Sequence, residues 1–189
     1  FLTVDETKAL LQTVDPETSD GLRDLLILEL LYATGIRVSE LTSLCVGDVR
    51  MAEGVIRVTG KRRKTRLVPF GEQVRRDLEA FLQKRAEAEG AAPEFRQQIF
   101  VNSKGNPMTR MQVLAVVKRY VALVADQKKA HPHALRHTFA THMLNEGADL
   151  MSVKELLGHE NLSTTQIYTH VSAEHLKKIY KRSFPRGTE

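Results

Sequence analysis

The segment from Asp20 to Gly35 constrains the fold more than any other part of the chain. Its apolar residues cover most of a helical circumference and are Leu22, Leu25, Leu26, Ile27, Leu28, Leu30 and Leu31. A helix that is apolar on all sides has to be buried, because any face turned to water would expose hydrophobic surface. We therefore predict that this helix lies at the centre of the core, with Ser19 or Asp20 as its N-cap and Gly35 as the residue that ends it.

The remaining apolar pattern is helical almost everywhere, and one region alternates as a sheet does. Thr3 and Glu6 have the spacing of a capping box, so a helix is expected to begin there. Between Val46 and Phe70, "GVIRVTG" alternates apolar and polar residues, and "KTRLVPF" follows a short basic turn. Helical patterns resume over residues 73–88, 110–125, 132–145, 150–157, 164–169 and 173–181. We predict a mainly α fold of the α+β class with a small three-stranded antiparallel sheet, whose hairpin has a basic tip.

The length of 189 residues is most simply that of one domain, which can bury about 70% of the surface of its unfolded chain. Apolar runs fall well short of the roughly 18 residues that span a bilayer, and the N-terminus lacks a signal-peptide pattern. We expect a soluble cytoplasmic protein without a membrane partner. Because the chain begins at Phe1 rather than Met, we also expect it to be a piece of a longer protein.

The charge distribution favours a polyanionic partner. The formal net charge is +5 and the isoelectric point is about 9.4. The stretch "RVTGKRRKTR", from Arg57 to Arg66, holds basic residues and no acidic one, and a second basic stretch lies at the C-terminus. A single basic run is often only a solvated surface. Two such runs make nucleic acid the better interpretation.

Six polar side chains together suit chemistry on a phosphodiester. They are Arg37, Lys61, His133, Arg136, His159 and Tyr168. Each alone has an ordinary structural explanation, since most arginines are surface charges and most histidines and tyrosines serve packing. The hypothesis therefore depends on their combination.

The chemistry of these groups suggests how they could divide the work. The guanidinium fork binds phosphate oxygens in pairs, so Arg37 and Arg136 could hold a phosphodiester without a metal. The Tyr168 hydroxyl, with a pKa near 10, needs a base before it can attack. His133 shares a helical face with Arg136 and could take that proton, as could the phosphate itself. Lys61, at the start of the basic tip, could supply a proton to the departing sugar oxygen.

Four stretches carry a resemblance to a known family. They are "ATGIRVSEL", "VTGKRRKTRLVPFG", "PHALRHTFATHMLNEGADL" and "LLGHENLSTTQIYTHV". In order and spacing they resemble the signature blocks of tyrosine recombinases, and within that family the bacterial Xer type. The resemblance extends over nearly the whole chain and implies the tyrosine recombinase and type IB topoisomerase catalytic-domain fold.

The resemblance also implies a role for each residue. Arg37 and Arg136 would clamp the scissile phosphate, His133 would assist proton transfer and His159 would hydrogen-bond a non-bridging oxygen. Lys61 would be the general acid and Tyr168 the nucleophile. Such enzymes form a 3′-phosphotyrosyl bond with double-stranded DNA and exchange strands through a Holliday junction, with neither nucleotide nor metal cofactor. They serve chromosome or plasmid dimer resolution, or integration of mobile elements.

Further expectations concern residues around the reacting groups. Glu40 matches the family's carboxylate that orders the cationic cluster. Arg110 could contact DNA, since the family places a helix near it in the major groove. The basic hairpin is expected to contact DNA through Arg62, Arg63, Lys64 and Arg66. Where the family usually has glycine after the lysine, this chain has Arg62, which adopts a left-handed backbone less readily. A differently shaped tip would make Lys64 the substitute for Lys61.

The resemblance makes residues 1–189 a catalytic domain, without the helical domain that precedes it in full-length relatives. Residues 172–189 resemble the tail that docks on a neighbouring protomer. The expected assembly is a tetramer on DNA, of identical chains or with a paralogous recombinase, associated with the nucleoid.

Two alternatives to this function stay open on the sequence, and a third is disfavoured. A type IB topoisomerase uses the same groups but rejoins the same strand. A DNA-binding module without catalysis would need no nucleophile at Tyr168. A zinc hydrolase is suggested by the spacing of His133 and His137, but the glutamate of His-Glu-x-x-His is missing and there is no cysteine pair.

Overall fold

The computed structural model describes residues 1–158. The predicted helices over 164–169 and 173–181, together with His159, Tyr168 and the tail 172–189, lie outside the described residues. The helices are α1 (Val4–Gln12), α2 (Ser19–Thr34), α3 (Val38–Ser43), α4 (Glu72–Glu89), α5 (Arg110–Val124), α6 (Pro132–Asn145) and α7 (Leu150–Leu157). The strands are β1 (Val49–Arg50), β2 (Val55–Thr59) and β3 (Thr65–Pro69).

Helix α2 is the centre of the core, as its sequence predicts. The seven apolar side chains named above are at most 3% exposed, and the helix packs against α4 and α6. Its N-cap is Thr18 rather than Ser19 or Asp20, because the Thr18 hydroxyl accepts the Gly21 amide at 3.0 Å. Gly35 ends the helix in a left-handed conformation, with a φ of 61°. Its carbonyl is thereby turned towards α6.

The three strands form one antiparallel sheet in the order β1-β2-β3. In the hairpin, Ile56 pairs with Val68 and Val58 pairs with Arg66. Ile56, Val58 and Val68 are buried, so this face of the sheet covers the core. The predicted mainly α architecture with a small antiparallel sheet is confirmed.

The tip of the β2–β3 hairpin has two arginines in the left-handed region. Arg62 and Arg63 both have a φ of 58°, and the Gly60 amide donates to the Lys64 carbonyl at 2.8 Å to close the turn. A side chain with a Cβ adopts this conformation at a cost of about 1–2 kcal/mol. Both arginine side chains are exposed. The left-handed tip is thus built from residues poorly suited to it.

Helix α6 is fixed to the rest of the core by buried polar contacts. Pro132 occupies its first turn, and the His131 ring accepts the Ala134 amide as an N-cap that the sequence pattern does not predict. The Tyr32 hydroxyl lies 2.9 Å from His142 Nδ1, joining α2 to α6. None of the helices within residues 1–158 is long and apolar enough to cross a membrane.

We expect acid to destabilise the wild-type protein more than a His142→Asn variant. Burial lowers the pKa of His142 below its ordinary value, although a backbone hydrogen bond to Leu2 and the charge of Glu146 oppose this. Its stabilising contribution is complete above the unfolded pKa of about 6.5 and is lost as the pH falls through the folded value. Asparagine can still hydrogen-bond Tyr32 but does not titrate. Thermal unfolding of both proteins between about pH 8 and about pH 4.5 measures the difference. If the melting temperatures of the two proteins changed in parallel with pH, the prediction would be contradicted.

Candidate active site

The buried carboxylate of Glu40, in the first turn of α3, binds two arginines, Arg37 at the start of the same helix and Arg66 of β3. Its Oε1 accepts from Arg37 Nη1 at 3.1 Å and from Arg66 Nη1 at 2.9 Å. Its Oε2 accepts the Arg37 amide at 2.8 Å and Arg66 Nη2 at 3.0 Å. Burial raises the pKa of Glu40, but hydrogen bonds from Arg66 and the Arg37 amide, with the charges of both arginines, bring it below its ordinary value. Glu40 is therefore ionised and fixes both guanidinium groups.

Arg136 joins the same cluster from α6. Its Nη1 donates to the Gly35 carbonyl, and its Nη2 donates to the Leu157 carbonyl at 2.6 Å. The pKa of Arg136 is lowered from its ordinary value to about 10, mainly by burial and then by the charge of Arg37, with Arg66 adding to the effect and Glu40 opposing it. Arg136 still carries its charge at neutral pH.

The arginines are anchored by the carbonyl ends of two helices. Besides the Arg136 contacts, Arg66 Nε donates to the Leu156 carbonyl at 2.6 Å, and Arg37 Nη2 lies 3.5 Å from the Gly158 carbonyl. The last carbonyls of a helix have no partner within it and carry partial negative charge, so cations stabilise them. The C-termini of α2 and α7 thus meet the guanidinium groups.

The cluster has more positive than negative charge. The guanidinium groups of Arg37 and Arg66 bind the carboxylate of Glu40, and that of Arg136 lies near enough to feel the charges of all three. The Arg37 side chain remains 40% exposed, so it can still reach a ligand. A partly desolvated pair of guanidinium forks is suited to the oxygens of a phosphate.

The structure brings together some of the predicted site residues. Arg37, Glu40 and Arg136 lie in the cluster. Lys61 is exposed in the hairpin tip, and the preceding Gly60 lies so close to the cluster that an added Cβ would be 3.3 Å from Glu40 Oε1. His133 is exposed in the first turn of α6, one turn before Arg136.

The predicted DNA-contacting residues fall into two groups. Arg62, Arg63 and Lys64 are exposed at the tip, and Arg110 is exposed at the start of α5. Arg66 differs, because its side chain is only 14% exposed and is bound to Glu40 and to the end of α7. The sequence did hold a signal for this: Arg66 is two residues before the buried Val68, so both point to the same face of β3.

Within residues 1–158, no group of three or more His, Cys, Asp and Glu side chains could hold a metal ion. His137 instead packs edge-to-face on Phe1, with ring centroids 5.6 Å apart.

Comparison with known proteins identifies the family. The sequence model described as "Phage integrase family" matches residues 1–175. The chain belongs to the phage integrase family. Within this family, the tyrosine recombinase XerC of Pelotomaculum thermopropionicum is 46% identical over 190 residues, covering 99% of this chain and 62% of that protein. XerD of Xanthomonas axonopodis pv. citri is 46% identical over 192 residues, covering 98% and 63%. The chain spans about three fifths of the length of these curated relatives.

Solved structures support the same assignment. The XerA recombinase is similar with a TM-score of 0.74 and 32% identity, over 98% of this chain and 65% of that one. The XerH site-specific recombinase, bound to difH substrate in a pre-cleavage complex, has a TM-score of 0.71 and 27% identity, over 94% and 52%. The fold of this phage integrase family member is therefore that of tyrosine recombinase catalytic domains.

Gly35 is expected to tolerate substitution much less than another left-handed glycine. A Cβ at Gly35 would lie 2.5 Å from Phe139 Cδ1 and 2.7 Å from Leu157 Cδ2, whereas at Gly147 it would meet nothing within 4 Å. We expect Gly147→Ala to cost about 1 kcal/mol through backbone strain alone. Gly35→Ala should cost a further 1–3 kcal/mol or so because it overpacks the core. Urea denaturation of the two variants measures both, and equal losses would refute the steric argument.

Proposed function

We propose that this chain is the catalytic domain of an Xer-type site-specific tyrosine recombinase, which cuts and rejoins double-stranded DNA. The observation that carries the proposal is the cationic cluster in which Glu40 binds Arg37 and Arg66, with the charge of Arg136 close beside them. Such a cluster suits a phosphodiester whose negative charge grows in the transition state. Membership of the phage integrase family, and the recombinase names of its relatives, support the same activity.

In this proposal Arg37 and Arg136 hold the scissile phosphate. Protons are transferred by three other groups around it. The Tyr168 oxygen attacks phosphorus, and the bond from phosphorus to the 5′ oxygen breaks. His133 accepts the tyrosine proton, and Lys61 donates a proton to the departing 5′ oxygen. His159 binds a non-bridging oxygen. The phosphotyrosyl linkage keeps the phosphodiester energy, so a 5′-hydroxyl from the partner strand can reverse the reaction without a nucleotide or metal cofactor.

The surrounding basic residues would position the DNA. Arg62, Arg63 and Lys64 extend from the hairpin next to the cluster, and Arg110 begins α5. Phosphate contacts of this kind fix the register of a duplex and make binding salt-dependent. Residues 172–189 would dock on a neighbouring protomer in a tetramer of identical or paralogous chains. This activity would place the protein in the cytoplasm at the nucleoid, for dimer resolution or mobile-element integration.

The tyrosine is tested with a suicide substrate, a duplex nicked near the cleavage point so that the short product diffuses away. We expect the full chain to form a covalent adduct with this DNA and Tyr168→Phe to form none, because phenylalanine lacks the attacking oxygen. Denaturing electrophoresis of labelled DNA measures the adduct. Tyr120→Phe is the matched control, since Tyr120 lies on α5 and should leave the adduct unchanged.

Two results would refute the function. An adduct that persists in Tyr168→Phe would mean that another residue attacks. DNA binding without any adduct in the wild-type chain would favour a non-catalytic module. Strand exchange between two labelled duplexes then separates recombination from topoisomerase-like religation, which returns only the original strands.

The general acid is tested with a leaving group that needs no proton. We expect Lys61→Ala to slow cleavage by about 100-fold or more, as loss of a general acid does. A substrate with sulfur in place of the bridging 5′ oxygen should restore most of the rate, because a thiolate leaves without protonation. Lys64→Ala is the matched control from the same hairpin. Single-turnover cleavage rates are measured for the wild type and for both variants. Rescue of Lys64→Ala instead of Lys61→Ala would transfer the role to Lys64.

A further inference from the structure

We propose that Arg66 is a positioning residue for the cleavage reaction rather than a ligand of DNA. The inference rests on the proposed function and names a role that the basic run "KRRKTR" does not suggest. Arg66 belongs to β3 through its backbone, binds Glu40 at the start of α3, and binds the Leu156 carbonyl at the end of α7. One side chain therefore joins three separate elements.

Each of these elements leads directly to a residue of the proposed reaction. Glu40 also holds the amide and guanidinium of Arg37. The hairpin containing β3 carries Lys61. Helix α7 ends at Leu157, and the chain continues through Gly158 to His159 in the sequence. Arg66 is thus placed to fix the relative positions of a phosphate clamp, a general acid and the segment leading to His159.

The guanidinium of Arg66 is already committed to protein partners. Its Nη1 and Nη2 face the two oxygens of Glu40 at 2.9 and 3.0 Å, and its Nε faces the Leu156 carbonyl at 2.6 Å. Its side chain is 14% exposed, compared with 40% for Arg37. These contacts use three of its five N–H donors, and a two-point grip on phosphate through the paired N–H groups would break a charge-assisted pair with a buried carboxylate, which is unfavourable. Arg66 is therefore a poor phosphate ligand.

The end of α7 is packed closely against this guanidinium. A Cβ added to Gly158 would lie 3.1 Å from both Cζ and Nη1 of Arg66, and Gly158 has a φ of 66°. Glycine is thus needed at this position for two reasons, the left-handed backbone and the close approach of Arg66. This contact is independent of the hydrogen bond to Leu156 and fixes the same turn of the chain.

Lysine at position 66 would keep the positive charge but could not bind Glu40 and the Leu156 carbonyl with the same geometry. A guanidinium bridges a carboxylate and a carbonyl in one plane, whereas an ammonium group is a single point charge on a flexible stem. Arg66→Lys therefore separates positioning from electrostatics. The matched control is Arg57→Lys, because Arg57 lies on the neighbouring strand and pairs with Asp48 at 2.9 and 3.0 Å on the exposed face of the sheet.

The decisive experiment compares binding and cleavage in the full chain. We expect Arg66→Lys to reduce single-turnover cleavage of the suicide substrate at saturating DNA by roughly 10- to 100-fold, since small misplacement of reacting groups has effects of this size. Its DNA affinity and the salt dependence of binding should match those of the wild type. Arg57→Lys should cleave at the wild-type rate. A double variant with Glu40→Gln should cleave no more slowly than the slower single variant, because residues that act as a unit are not additive.

Two outcomes would overturn the inference while leaving the proposed function intact. The first is wild-type cleavage by Arg66→Lys. The second is normal cleavage at saturation with a weakened DNA affinity, which identifies a direct contact of the guanidinium fork with DNA, because lysine keeps the charge but loses the fork.

Hydrogen exchange tests the structural link whether or not the chain cleaves DNA. We expect the amides in the last turn of α7 to exchange faster in Arg66→Lys than in the wild type or in Arg57→Lys, because the tie to Leu156 is lost. Unchanged exchange in that turn would refute the role of Arg66. Absence of an adduct in the wild-type chain would refute the proposed function instead.

Discussion

The Glu40 carboxylate is the interaction on which the rest of the site depends. It is 4% exposed and receives hydrogen bonds from Arg37 and Arg66. Without it, arginines with like charges would face one another in a partly desolvated region, where repulsion is weakly screened. The carbonyl ends of α2 and α7 complete the arrangement by accepting further N–H groups. A single negative charge and two helix ends therefore hold the arginines in place before any anion arrives.

The parts of the fold that were predictable have local signals. The Thr3 capping box, the predominantly apolar α2 and the alternation in β2 each depend on residues within a few positions of one another, and the structure has all three. The predicted N-cap of α2 is wrong because Thr18, Ser19 and Asp20 are all good caps, and which one is used depends on where the preceding turn enters the helix. Composition alone does not decide this.

The site was harder to predict because its geometry is set by contacts between distant segments. The basic run predicts that Arg66 contacts DNA, yet its partner Glu40 is 26 residues away in the sequence and the α7 carbonyl is 90 away. Strand alternation indicates that Arg66 points inward but does not identify its partner. The placement of Arg37 and Arg136 in one cluster is what the chemistry of phosphate binding and the family resemblance predict.

The burial of Arg136 shows what this preorganisation requires of the fold. Its pKa of about 10 reflects desolvation and the nearby charges of Arg37 and Arg66, so its charged form is less stable here than in water. A bound phosphate would reverse that effect, and a transition state with greater negative charge would do so further. Residues of the core around α2 and α6 hold Arg136 in this unfavourable state. The rigidity of the apolar core is therefore part of the site, because a looser core would let the arginines separate and hydrate.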